Sequence, residues 1–281
     1  HLQGTHFVFD RQLFAATEEI VSLNWDADTN DMLEMFRLPG RIAADSRSNF
    51  HVIVEEFQNL TMIPDYEEIF KALETVLSER DTEAEFCASF ILTGSMVNAM
   101  RKIFEEQKHF YRMTEHLPLH QIDDKDIVEH IVRGFRTSGK VIEMDLAAKA
   151  IGIFRSNIWY LNHFISICDS LSKGYMNEGV LMEALRIILS IHEPRFFSTM
   201  NNLTDHQISL LKAILDGEIR FSASEVIEKY RLNSSANVRR VKDALMKKEI
   251  ITFNDRDEPV ILDPLFQHWL EYHYFGIKKL K

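Results

Sequence analysis

The chain has 281 residues, 46% of them hydrophobic and 27% charged, which suits two compact domains with sizeable cores and excludes a predominantly disordered protein. Its formal net charge of −11 excludes a protein coated over its whole surface in nucleic acid, because duplex binding rests on lysines and arginines that displace counterions; any such contact must be local. No apolar run approaches the roughly 18 to 20 residues of a membrane span, and no basic flank with an apolar stretch opens the chain, so the expectation is a cytoplasmic protein without a membrane partner.

In chain order, His1 stands where a native chain starts with methionine, which gives the expectation that upstream sequence is missing. Phe7 to Phe9 is a candidate early strand. Val52-Ile53-Val54 and Phe90-Ile91-Leu92-Thr93 are short apolar runs bounded by polar or glycine residues, as buried parallel strands are. Between them Asp65 to Arg80 carries Ile69, Leu73, Val76 and Leu77 at helical spacing, and strand, helix, strand predicts a βαβ unit. From Asp123 to Ile191 three or four helical patterns follow one another, the first capped at Asp123 or Asp124 and stopped at Thr137-Ser138-Gly139. Pro194 and the polar stretch Ser198 to Asn202 read as a hinge. Beyond it, Thr204 to Gln207 has capping-box form, Gly217 ends that helix, Ala223 to Tyr230 makes a second, and Asn233-Ser234-Ser235 caps a third running to Lys248. Ile250 to Phe253 and Val260 to Leu262 flank the turn Asn254-Asp255-Arg256-Asp257, so three helices and a two-stranded ribbon predict a winged helix-turn-helix. The expected fold is α/β plus all-α: a core over residues 1–122, a helical lid over 123–197 and a winged helix over 203–275.

The sharpest chemical signal is His51-Val52-Ile53-Val54-Glu55-Glu56-Phe57-Gln58, an apolar strand ending in two carboxylates at the carboxyl edge of a parallel sheet, where α/β folds keep their ligands. Such a pair can hold Mg²⁺ and polarise a water; two solvated glutamates at a strand end are the plain alternative. Val54-Glu55-Glu56-Phe57-Gln58-Asn59-Leu60 resembles the Walker B segment of AAA+/STAND-like P-loop ATPases frequent in archaea and in bacteria of the Bacteroides type. Ile91-Leu92-Thr93-Gly94-Ser95-Met96 is similar to their next strand and Phe110-Tyr111-Arg112 to the segment where an arginine often stands. Leu203 to Leu270, with Ser234 to Val238 and Asp263 to Leu270, resembles their C-terminal domain.

The resemblance implies an ATP-dependent switch in which ATP closes the sheet domain against the lid and repositions the winged helix. It assigns Glu56 to water activation, Glu55 to Mg²⁺, Thr93 or Ser95 to sensing the γ-phosphate, and Arg112 to a finger towards ATP. Oligomeric state stays open, a homo-oligomer among the alternatives. Two departures stand out: the family's metal-side aspartate is Glu55 here, and no Gly-x-x-x-x-Gly-Lys-[Ser/Thr] loop precedes Glu55, so the core reads as truncated and ATP binding by these 281 residues is expected to be weak or absent. Gly134 to Val141 imitates that loop, but Val141 has no hydroxyl and a helix precedes it, so it reads as a helix C-cap. Where relatives carry a Gly-x-Pro turn, this chain has Arg155-Ser156-Asn157-Ile158-Trp159-Tyr160; Trp159 and Tyr160 read as core before they read as a base-stacking pair.

In the winged helix, Arg239, Arg240, Lys242, Lys247 and Lys248 make a phosphate-contacting face and Asn237 stands where such helices touch base edges; a solvated or protein-docking face is the alternative. His116 and His120 flank Pro118 and make no metal site, and the cysteines Cys87 and Cys168 read as buried thiols. The competing function is a non-enzymatic adaptor or DNA-binding regulator in which the sheet is scaffold and the winged helix binds duplex DNA or protein.

Overall fold

The computed structural model describes residues 6–8, 22–24, 29–79, 85–117, 119, 121–155, 157–254 and 256–277. His1, Phe9, Arg80, Pro118, His120, Ser156 and Asp255, which enter the expectations above, lie outside them. The chain divides into two compact units, His1–His116 and Leu117–Lys281.

In the first unit β1 (His6–Val8) pairs antiparallel with β2 (Ser22–Asn24). Helix α1 (Thr29–Ser46) leads to β3 (Phe50–Val54), a 3-10 turn (Phe57–Met62), α2 (Tyr66–Ser78) and β4 (Ala88–Leu92), then the short helix α3 (Val97–Arg101). β3 and β4 pair in parallel, with Val52 opposite Phe90 and Val54 opposite Leu92, as a βαβ unit requires. Strand side chains alternate between faces. Val54, Phe90 and Leu92 therefore turn together onto a core of Phe57, Phe70, Leu73, Ile103 and Phe110. On the opposite face Ile53 and Ile91, partners in the register, are 60% and 42% exposed.

The second unit begins with α4 (Asp124–Thr137), α5 (Met144–Phe154), α6 (Ile158–Leu171) and α7 (Glu178–Asn201). Then come α8 (Asp205–Leu215), α9 (Ser224–Lys229), α10 (Ser235–Lys247), the antiparallel pair β5 (Ile251–Phe253) and β6 (Pro259–Ile261), and α11 (Pro264–Trp269). The local chemistry sets these boundaries. Asn157, Asn177 and Ser234 cap their helices through side-chain acceptors, Thr204 and Gln207 form a reciprocal capping box, and Gly217, at φ 86°, follows α8 in the left-handed region that glycine tolerates. Gly139, at φ 75°, does the same after α4.

The hinge expected at Pro194 is not there. Pro194 lies inside α7, a helix of 24 residues that ends at Asn201. Proline removes one intrahelical donor and crowds the preceding turn, a cost of about 3 kcal/mol in a helix interior. Packing offsets it: Phe196 and Met200, both buried on the C-terminal side of the proline, continue the stripe of Leu185, Ile188 and Leu189, and a single hydrophobic core extends from Ile127 on α4 to Leu270 after α11. Phe196 lies 5.3 Å from Phe266 and 5.6 Å from Trp269, centroid to centroid. α7 thus belongs to both the helical segment and the winged helix.

Candidate functional site

The parallel ladder carries past its strand ends. The Thr93 N–H donates to the Val54 carbonyl at 2.9 Å, and the Phe57 N–H donates to the Thr93 carbonyl at 2.9 Å. This pairing lays the segment after β3 beside the segment after β4, so residues 39 apart in sequence meet. Ser95 Oγ donates to Glu56 Oε2 at 2.7 Å, the Ser95 N–H reaches the same oxygen at 3.4 Å, and Gln58 Nε2 donates to it as well. The bond from Ser95, and then that from Gln58, hold the Glu56 carboxyl below the usual carboxylate range. Glu56 adopts φ 51°, ψ 44°, a left-handed conformation uncommon for a non-glycine residue. Glu55 is exposed beside it.

Arg112 also has a positive φ, 63°, and its guanidinium sits 5.2 Å from the centroid of the Tyr111 ring. Neighbouring Phe110 is buried and its N–H donates to Glu74 Oε1 at 2.7 Å, which fixes the segment. Of the residues expected at the ATPase site, the structure joins Glu56 with Ser95, places Glu55 and Thr93 at the same sheet edge, and stacks Arg112 on Tyr111.

On α10, Val238, Val241 and Leu245 face the core, leaving Arg239, Arg240 and Lys247 exposed on the outer side. Lys242 is half-buried, its Nζ 4.0 Å from the centroid of Phe253 on β5. Arg239 and Lys242 line a groove of about 450 Å³ between α10 and the ribbon, with Asp243 and Asp257 also on its walls. Two of the expected contact residues also bond within the fold. Asn237 Nδ2 donates to the Leu232 carbonyl at 2.9 Å while its Oδ1 accepts from Arg240 at 3.0 Å, so its amide fixes the start of α10. Lys248 Nζ donates to the Asn202 carbonyl at 2.8 Å, tying the end of α10 to the end of α7.

A polar joint that motif spacing does not reveal binds the helical segment to the winged helix. Asp263 Oδ1 caps α11, accepting from the Leu265 and Phe266 N–H groups at 3.0 and 2.9 Å. Its Oδ2 accepts from Tyr160 Oη at 2.8 Å and from Arg195 Nη2 at 2.7 Å. Burial foremost, then Asp263, pushes the Tyr160 hydroxyl far above its ordinary pKa. Trp269 Nε1 donates to Glu193 Oε1 at 3.1 Å, and Arg155 on the C-terminal side of α5 donates to Gln267. Tyr160 is therefore a core residue, as expected, whereas Trp159 is 64% exposed. An Asp-Pro pair opening a helix marks Asp263 as a cap; nothing in the sequence announces its second oxygen.

Lys140, the lysine of the imitation phosphate loop, donates to the Asp169 carbonyl and lies 2.9 Å from Asp169 Oδ1, and Val141 bridges to Tyr175, so that stretch is a helix end. Among the described residues no group of three or more His, Cys, Asp or Glu side chains is placed to hold a metal. Mg²⁺ keeps most of its water and needs only one or two carboxylates, so exposed Glu55 beside Glu56 fits a hydrated ion. Within the 281 residues no glycine-rich loop ending in lysine precedes Glu55, and Lys140 of the imitation loop is engaged with Asp169. Cys168 is buried, its thiol pushed up to about 12 by desolvation, while Cys87 is half-buried. No helix among the described residues is long and apolar enough to cross a membrane.

The described residues form a helix-rich fold with a small parallel sheet, and the three helices and ribbon of the C-terminal part define a winged helix. Residues 194–272 match the family model described as "Probable winged helix domain". A Walker-type ATPase of Pyrococcus abyssi superposes with a TM-score of 0.65 at 18% identity, over 93% of this chain and 75% of that one. Two structures of the ORC2 protein of Aeropyrum pernix superpose less well. Its ADP form gives a TM-score of 0.49 at 14% identity over 85% of this chain and 66% of that one, and its ADPNP-ADP complexes give 0.44 at 13% over 88% and 70%. No curated protein matches the sequence. At 18% identity the likeness to the Pyrococcus protein is one of fold.

Proposed function

We propose that the chain is the Walker B side of an AAA+/STAND-like ATPase switch, organised as a core over residues 1–122, a helical lid over 123–197 and a winged helix over 203–275. The observation that carries this reading is the meeting of Glu56 and Ser95 at the carboxyl ends of two parallel strands. ATP with Mg²⁺, when bound, supplies a phosphoanhydride for hydrolysis. Glu55 offers an exposed carboxylate to the hydrated ion. Glu56 would take the proton of the attacking water through Oε1, the oxygen not engaged by Ser95 and Gln58. Ser95 or Thr93 would sense the γ-phosphate, and Arg112 would serve as a finger towards it, in cis or from a neighbour. The test is turnover by a version in which a glycine-rich loop ending in lysine precedes Glu55: Glu56→Gln should lower kcat by about 10² to 10⁴ with nucleotide binding spared. Unchanged hydrolysis would assign Glu56 to structure. Calorimetry of residues 1–281 with Mg-ATP should show weak binding or none.

The winged helix is the output, and Arg239, Arg240 and Lys247, exposed along one side of α10, favour duplex DNA as its partner. Each such contact releases roughly one counterion, so replacing all three with alanine should flatten the salt dependence by about 2 to 3 units of slope in fluorescence anisotropy. Undetectable binding at low salt would make this face a protein-contact surface and favour the adaptor reading.

A further inference from the structure

We infer that Gln58 is the positioning residue of the candidate site: its buried amide carries the Glu56 carboxylate, and Gly94 is glycine so that the amide fits. Gln58 is 2% exposed. The adjacent ring of Phe57, stacked 5.2 Å from Phe70, anchors its backbone, and Thr61 Oγ1 donates to the Gln58 carbonyl at 2.7 Å. A carboxylate only accepts, so the NH₂ end of the amide faces Glu56 Oε2. The other end, Oε1, is buried without a hydrogen-bond partner. It points at Gly94, where an added Cβ would come within 2.2 Å of it and within 2.6 Å of Met100 Sδ. The contact joins the segments that follow β3 and β4.

Two adjacent local penalties lie here. An orphaned buried acceptor and a left-handed non-glycine backbone each oppose folding. A methionine at position 58 would fill similar space without the orphan, and an extended Glu56 would carry no backbone penalty. Both are accounted for by one result, the placement of a single carboxylate against Ser95. Gln58 acts through Glu56 and does not itself touch a reacting group, so it is a positioning residue. What Glu56 is positioned for rests on the ATPase reading; that Gln58 positions it does not.

The experiment uses the 281-residue protein without nucleotide, so its result is separate from that of the turnover test. In Gln58→Met, unfolding midpoints should hold or rise, while the Glu56 Cα and Cβ chemical shifts leave left-handed values for extended ones and the Ser95 amide exchanges faster with solvent. Gly94→Ala should drive the amide out and produce the same change at Glu56. Gly94→Ala should also cost about tenfold less in the unfolding equilibrium constant when combined with Gln58→Ala than alone, because of the two side chains it meets only Met100 then remains, and that thioether can turn into the space the amide leaves. Unaltered Glu56 shifts in Gln58→Met, loss of fold in that variant, or additivity of the two alanine substitutions would each overturn the proposal.

Discussion

Removal of Asp263 should disturb the second unit at several points together. Its Oδ1 caps α11 and its Oδ2 receives Tyr160 and Arg195, so Asp263→Ala removes four donors' acceptor at once. Loss of an N-cap costs about 1 kcal/mol. The bond from buried Tyr160 to a charged acceptor is worth about 1.5 to 2 kcal/mol, whereas the Arg195 pair, with the arginine side chain 56% exposed, adds at most about 0.5 kcal/mol after screening. The sum is about 3 kcal/mol. A domain of this size loses about 2 to 4 °C per kcal/mol, so Tm should fall by about 6 to 12 °C. Asp263→Asn retains an oxygen for the cap and should lose about half as much. Differential scanning calorimetry with Trp269 fluorescence follows the change, since Trp269 lies on α11 and donates to Glu193. An Asp263→Ala variant melting within 2 °C of wild type would refute the view that this joint holds the helical segment to the winged helix.

Pro194→Ala should raise Tm by several degrees in the same calorimetric scan, because it restores a helical N–H inside α7; a loosened, more protease-sensitive protein would instead mean that the proline is needed where it stands. His192 lies against Trp159, Tyr160, His163 and Phe196, with Arg195 and Asp263 nearby; burial first, then Arg195 and His163, lower its pKa, and Asp263 opposes them. The folded state therefore binds the proton less readily than the unfolded state. Stability should be full above about pH 6.5 and decline as pH falls through the depressed value, and urea midpoints of His192→Asn should lose that part of the slope.

Much of this fold is legible locally. Val52 to Val54 and Phe90 to Leu92 announce strands through consecutive apolar residues, and Thr204 with Gln207 announces a helix start, because the physics involved spans a few residues. Pro194 misleads for the converse reason: its helix-breaking tendency is local, while the packing of Phe196 and Met200 that overrides it comes from residues some 70 positions away. The site shows the same division. Two carboxylates at a strand end are visible as letters, but Ser95 and Gln58 converge on Glu56 only once the parallel register is known. Asn237 and Lys248 look like free polar groups on a helix, and only the three-dimensional course of Leu232 and Asn202 shows that each also bonds to the backbone there.

The unbroken course of α7 gives the second unit a mechanical property. Its 24 residues form a rod about 36 Å long, at 1.5 Å per residue. The rod's far end is coupled to α10, because Lys248 holds the carbonyl of Asn202 immediately after it. A tilt of about 10° applied at Glu178 would sweep that end through about 6 Å. Because α7 shares one core with α10, any such movement has to carry both helices together rather than slide one past the other.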